Sequence, residues 1–196
     1  PIYNNYKPLT EKKLALKKLH LKNGKYILFF GLVRKYKGLD LAIEAMSHPK
    51  LKDRNLKLLI AGEFYDDKNG YLQLIKELKL NNIIIHDKFI PNQEVSSYFE
   101  VADLVLLPYI TASQSGITQL AIHYQKPMLV NNVGGLPEVI NHNIDGFISE
   151  PNSSEIAKYI QNFYDNDSLK KKIENGAKSK ADQFSWLEFI NKVLQK

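Results

Sequence analysis

Arg34, Lys35 and Lys37 stand within four positions of one another, between an apolar run and Gly38. A guanidinium and two ammonium groups in so short a loop can neutralise an anion, and the guanidinium can fork onto phosphate oxygens. The surroundings suit that chemistry. Phe29 and Phe30 close an apolar strand at Gly31, where the missing side chain lets a ligand approach the backbone. Leu39, Ala42, Ile43 and Met46 then fall on one face of a 3.6-residue period, so a helix over 39–47 follows the loop and its unpaired N–H groups add partial positive charge. Spacing alone is equally compatible with a solvated cationic loop.

Two later segments carry the same kind of chemistry. In Pro108-Tyr109-Ile110-Thr111-Ala112-Ser113-Gln114-Ser115-Gly116-Ile117 a strand gives way to a helix, which Ser113 or Ser115 can cap while Gly116 and Ile117 offer backbone N–H groups to an anion. In Asn132-Val133-Gly134-Gly135-Leu136-Pro137-Glu138 the glycines permit positive φ and close approach, and Pro137 suits a first helical turn. Glu138 is favoured there by the helix dipole with or without a substrate beside it. The five histidines show no metal-ligand spacing, and structural or solvent roles are expected for them. Gln119 and His123, at i and i+4, share one side of the helix that starts at the candidate anion site.

The elements that must position these loops alternate. Strands are expected at 26–30, 56–61, 83–86, 104–107 and 128–130, with a shorter one at 147–148, and helical periods lie between them around 39–47, 71–78, 95–102 and 117–124. Near-continuous apolar strands alternating with helices give an α/β fold, a Rossmann-like parallel sheet of about six strands flanked by helices. Ligands of such sheets bind beyond the carboxyl ends of the strands, which is where all three loops fall. After Phe147 the pattern is helical, on Ile156, Ile160 and Phe163, then Leu169, Ile173 and Ala177, then Trp186, Phe189, Ile190 and Val193; Trp186 reads as a packing anchor.

The chain has 196 residues, 44% of them hydrophobic, enough for one well-buried domain. Residues 1–24 read as a connector and first helix, residues 25–196 as the Rossmann-like domain, and the proline-bracketed start suggests that the chain begins partway through a larger protein. With no cysteine there is neither a disulfide framework nor a thiolate metal site or nucleophile. No apolar run spans a bilayer, and a cytoplasmic location is expected. The net charge of +6 is concentrated in lysine runs at 7–25 and 170–180, read as solvated helix faces opposite Leu14 and Leu19 or Leu169 and Ile173; a weak contact with the anionic inner face of a membrane is a further expectation. Nucleic acid is not expected as a partner. There is no GxSxG, no Walker loop and no GxGxxG after the first strand, which weighs against hydrolases, NTPases and dinucleotide-dependent oxidoreductases.

In order, FFGLVRKYKGLDLAIEA, LKLLIAGE, FIPNQEVSSYFEVADLVLLPY and KPMLVNNVGGLPEVI make the chain resemble the C-terminal, nucleotide-sugar-binding half of a GT-B glycosyltransferase, in the family 4 group of retaining enzymes. By that resemblance Arg34 and Lys37 grip the diphosphate of a UDP- or GDP-linked sugar and act in catalysis, with Gly31 beneath them. Backbone groups around Phe89 and Ile90 meet the base, Ser115, Gly116 and Ile117 cradle the phosphates, and Gly134, Gly135 and Glu138 border the donor pocket. Where the common family form has arginine after the first glycine this chain has Leu32, so Arg34 supplies the guanidinium. The family's paired glutamates fall on Ala112 and Leu120, and Gln119, in a Ser-Gly and Gln-Leu-Ala pattern found in a subset of such enzymes, stands in. The resemblance implies transfer without metal or cofactor, in cell-surface polysaccharide or glycan assembly, with an N-terminal acceptor domain outside this chain. A GT-B epimerase and a nucleotide-binding module without transferase activity are the alternatives.

Overall fold

The computed structural model describes residues 11–51 and 55–183. The expected helix around Trp186 and the connector before Glu11 lie outside the described residues. Among the described residues six strands, β1 (Lys25–Phe30), β2 (Leu56–Ala61), β3 (Ile83–His86), β4 (Leu104–Leu107), β5 (Met128–Asn131) and β6 (Gly146–Ser149), pair in the order β3-β2-β1-β4-β5-β6 with every neighbour parallel. Each strand falls where the apolar runs place it, to within a residue or two. The chain winds outward from β1 to β3 and then restarts at β4 on the other side of β1, so the carboxyl ends of β1 and β4 flank the switch point where such sheets open a crevice.

Among the described residues seven helices cover the two faces: α1 (Lys12–Lys18), α2 (Leu39–Ser47), α3 (Lys68–Glu77), α4 (Asn92–Val101), α5 (Gly116–His123), α6 (Ser153–Asp165) and α7 (Asp167–Gln183). Alternate residues of β1 enter opposite cores. Tyr26, Leu28 and Phe30 pack toward α1, α4 and α5, while Ile27 and Phe29 pack toward α2 and α6, all of them buried. Full burial of each such side chain is worth about 1.5–3 kcal/mol, which is why a strand with no polar face holds the centre of the sheet.

Two expectations about the lysine-rich helices are corrected. On α1 the buried stripe is Ala15, Leu16 and Leu19, at the spacing of one helix face, and Leu14 is 58% exposed. Lys180 is not on a solvated face: it is 8% exposed, with Nζ 2.7 Å from Asp145 Oδ2 and donating to the Val139 carbonyl. Asp145 also accepts from the backbone and side-chain amides of Asn141 at 2.9 and 2.6 Å. Gly176 makes this approach of α7 feasible, since a Cβ there would stand 2.0 Å from the Ile144 carbonyl oxygen.

Candidate functional site

The carboxyl ends of the central strands step down the sheet by backbone hydrogen bonds, Gly31 N–H to the Ala61 carbonyl at 2.8 Å and Gly62 N–H to the His86 carbonyl at 3.1 Å. Beyond Gly31, Val33 donates to Glu63 at 2.8 Å and Tyr65 donates back to Val33 at 3.0 Å, so the β1 loop is pinned to its neighbour before the cations begin. Lys35–Lys37 form a 3-10 turn, with the Asp66 carboxylate accepting from the Lys35 N–H. Gly38 closes the turn at φ +64°, and a Cβ there would stand 2.0 Å from the Pro108 carbonyl oxygen. Only glycine lets this turn sit against the end of β4, where Ile110 N–H donates to the Tyr36 carbonyl at 2.8 Å.

That seating carries Lys37 inward until it is 8% exposed, its Nζ 3.4 Å from the point where a Cβ would stand on Gly31 and 5.7 Å from the centre of the Tyr109 ring. Ile117 Cδ1 lies 3.2 Å from that same point above Gly31, so the cationic loop and the first turn of α5 meet over one glycine. Burial, and then the charge of Arg34, push the Lys37 ammonium down from 10.5 to about 8. Among the described residues no carboxylate is in ion-pair distance of it. Arg34, partly buried, stacks its guanidinium 4.2 Å from the centre of the Tyr65 ring.

Of the two candidate caps for α5, Ser115 is the one used, its Oγ accepting the Ile117 N–H at 3.2 Å. Gly116 takes the first helical position, and a Cβ there would meet nothing within 4 Å. Neither contact with the described residues nor a positive φ requires glycine at that place. Opposite stands the β5 loop. A Cβ on Gly134 (φ +52°) would fall 1.4 Å from the Ala112 carbonyl oxygen and one on Gly135 would fall 2.4 Å from that of Ser113, and Gly135 N–H donates to the same Ser113 oxygen at 3.0 Å. The two loops therefore touch backbone to backbone. Pro137 then opens a 3-10 turn that presents Glu138.

Between α5 and this turn lies a cleft of about 320 Å³ lined by Ser115, Gly116, Thr118, Gln119, Gly135 and Glu138 among others. Thus Ser115, Gly116, Gln119, Gly135 and Glu138 share one cavity, and Gly31, Lys37 and Ile117 converge beside it. Gly134 forms part of the wall, against the Ala112 carbonyl. Phe89 and Ile90 follow the edge strand β3: Phe89 is 68% exposed, whereas Ile90 is buried in the core and offers a ligand only its backbone. Ala112 sits in the wall, and Leu120, 6% exposed, belongs to the core. His86 is hydrogen-bonded at 3.0 Å to Tyr98 and His142 accepts from the Ile148 N–H at 3.0 Å, both structural roles, and His123 is partly buried with its ring against Tyr124. Among the described residues no three His, Asp or Glu side chains gather as metal ligands, and no helix is long and apolar enough to cross a membrane.

A larger cavity, about 700 Å³, lies along β3 between the end of α1 and α4. Its acids are already matched, Lys88 to Glu94 and Lys68 to Asp87, each at 2.9 Å, and it lies away from the switch point. The residues that motif reading missed are those behind the site. Tyr109, 3% exposed, hydrogen-bonds Ser115 Oγ at 3.1 Å, and its carbonyl accepts from the buried Asn131 side chain at 3.0 Å, which in turn accepts from Ser149 Oγ at 3.0 Å. A polar residue closing the otherwise apolar run Met128-Leu129-Val130 was the available signal for Asn131.

The architecture recurs in solved proteins. The C-terminal domain of the group 1 glycosyl transferase LpcC from Francisella tularensis superposes with a TM-score of 0.81 at 20% identity, over 94% of this chain and 97% of that domain. Anabaena Alr3699/HepE, solved in complex with UDP-glucose, gives 0.76 at 19% identity over 99% of this chain and 55% of its own. At those identities the likeness shows the fold. In sequence, the uncharacterised glycosyltransferase MJ1607 of Methanocaldococcus jannaschii is 30% identical over 166 residues, 83% of this chain but 42% of that protein, so the chain spans less than half the length of this curated relative. The family model described as glycosyl transferases group 1 matches residues 11–180, which include all three loops that meet at the switch point, and the chain belongs to that family.

Proposed function

We propose that this chain is the donor-binding half of a retaining, metal-independent glycosyltransferase, and that the diphosphate of a nucleotide sugar lies between Lys37, Arg34 and the start of α5. The observation that carries this reading is a buried ammonium with no carboxylate beside it among the described residues, seated over the same glycine as the first turn of a helix. Negative charge grows on the departing diphosphate during transfer, and fixed cations and helix N–H groups stabilise that growth without reorganising. They supply the neutralisation that a metal provides elsewhere. The sugar occupies the 320 Å³ cleft, at the small end of ligand pockets, beside Gln119 and Glu138. The base lies toward the loop that carries Phe89 and Ile90. Acceptor recognition belongs to an N-terminal domain outside the chain, and cell-surface glycan assembly on the cytoplasmic side of a membrane is the setting this reading favours. UDP is the first donor nucleotide to test, since a fold neighbour holds UDP-glucose.

One observation favours a second reading. With Ala112 in the wall and Leu120 in the core, no carboxylate stands at the positions of the family's paired glutamates, as a nucleotide-binding module without transferase activity would have it. The full-length protein separates the two, because tight nucleotide binding with no sugar transfer to any acceptor supports the module. For the chain itself a thermal-shift panel of UDP, GDP, ADP and their sugars is the test. Ligand at about 100 times its dissociation constant stabilises by about 2.7 kcal/mol, and the double variant Arg34→Ala/Lys37→Ala loses the response. A flat panel with wild type rejects the donor site.

A further inference from the structure

The cap of α5 has one hydrogen-bonding partner more than a cap needs. Ser115 Oγ accepts the Ile117 N–H at 3.2 Å, which satisfies the capping role, and it also lies 3.1 Å from the phenol oxygen of Tyr109. A serine hydroxyl carries two lone pairs and one proton. Burial pushes the Tyr109 phenol up to about 12, so it keeps its proton at neutral pH, and no other acceptor among the described residues meets it. Either oxygen of the pair could donate; with the phenol as donor, its buried proton meets the one acceptor that stands beside it among the described residues. In that arrangement both lone pairs of Ser115 Oγ are engaged, one by Tyr109 and one by Ile117, the serine's own proton meets no partner among the described residues, and Ser115 lines the cleft.

Tyr109 is itself held from three sides, which is what a positioning group requires. Its carbonyl is fixed by Asn131, the next N–H along is fixed by Tyr36, and its ring packs edge-on against Tyr36 with centroids 6.0 Å apart. The phenol thus stands at a set place between the cationic turn and α5. We propose that Tyr109 is a positioning residue that holds the Ser115 hydroxyl with its proton turned into the cleft, making Ser115 a side-chain donor to the diphosphate in addition to the backbone groups of α5. This inference rests on the reading of the cleft as a donor site.

Tyr109→Phe isolates the claim, because it keeps the ring under Lys37 and removes only the hydroxyl. The 196-residue chain, wild type and variants, is titrated with UDP and, in parallel, GDP by calorimetry. Expected for the nucleotide that wild type binds are a three- to tenfold weaker affinity in Tyr109→Phe, an equal or larger loss in Ser115→Ala, and a Tyr109→Phe/Ser115→Ala double variant no weaker than Ser115→Ala alone. Ser115→Thr, which retains a hydroxyl, keeps its sensitivity to Tyr109→Phe. Losses that add in full, or a Tyr109→Phe variant that binds as wild type does, overturn the role of Tyr109 and leave the donor site standing. A wild-type chain that binds neither nucleotide removes both.

Discussion

Lys37 and Lys180 are equally buried, each 8% exposed, and the protein treats them in opposite ways. Lys180 has Asp145 at 2.7 Å and the Val139 carbonyl, and Asp145 is further satisfied by Asn141, so this charge is answered inside the fold. Among the described residues Lys37 meets the face of an aromatic ring and a neighbouring guanidinium but no carboxylate, and burial first, then the like charge of Arg34, push its pKa down to about 8. A buried cation without a counter-ion costs stability, about 1.4 kcal/mol for each pKa unit by which its charged form is disfavoured. Lys180 is a bolt between α7 and the turn that presents Glu138, whereas the proposed donor site gives Lys37 its counter-charge from the diphosphate.

The strongest way to break the comparison is at the paired lysine. Lys180→Met strands the Asp145 carboxylate in the core and is expected to cost about 3–5 kcal/mol, lowering the melting temperature by about 10 °C, with Asp145→Asn added in the same chain recovering part of the loss. Unchanged melting would mean that the ion pair holds nothing. Next in size is Lys37→Met. It should weaken UDP binding on the order of a hundredfold while raising the melting temperature of the ligand-free chain by a few degrees, since the unanswered charge is gone. A loss of stability in that variant would make Lys37 structural, like Lys180.

Titration sharpens the contrast. Because the folded pKa of Lys37, about 8, lies below its ordinary 10.5, native-state stability is reduced below about pH 8 and recovers as pH rises from 8 toward 10.5. Donor affinity runs the other way. The diphosphate needs the ammonium, so affinity should fall above pH 8 by up to tenfold per unit, and calorimetry in buffers of different ionisation enthalpy should record proton uptake on binding. A pH-independent affinity between 7 and 9.5 would dissociate Lys37 from the ligand. The smallest effect is expected at Arg34, which is stacked on Tyr65 and partly exposed. Arg34→Ala should weaken UDP binding by roughly tenfold, the lower end of what a charged hydrogen bond is worth, and move the Lys37 midpoint to higher pH by removing a like charge.

What could be read in the sequence divides along the same line. The strands and α2, α5 and α6 announce themselves because their apolar period is local and the sheet needs both faces covered. Gly31, the cationic turn, Ser115 to Ile117 and the Gly134-Gly135 wall could be named because each is a short motif at a strand end. The partners were not legible. Lys180 sits in a run of lysines, and only the packing of α7 on the 139–145 loop, 41 positions earlier, separates it from solvated neighbours. Leu14 looked like a core residue, but the face of α1 that meets α4 is set by Ala15, Leu16 and Leu19. Tyr109 and Asn131 act through contacts between consecutive strand ends, which no period within either segment reports.

Lys37 and the beginning of α5 are proposed to form one diphosphate pocket at the switch point. A crystal structure of the chain with UDP tests it most directly. Diphosphate oxygens are expected within hydrogen-bond distance of both Lys37 Nζ and the N–H groups of Gly116 or Ile117. Nucleotide bound in the larger cavity along β3, with Lys37 still facing only the Tyr109 ring, would contradict it.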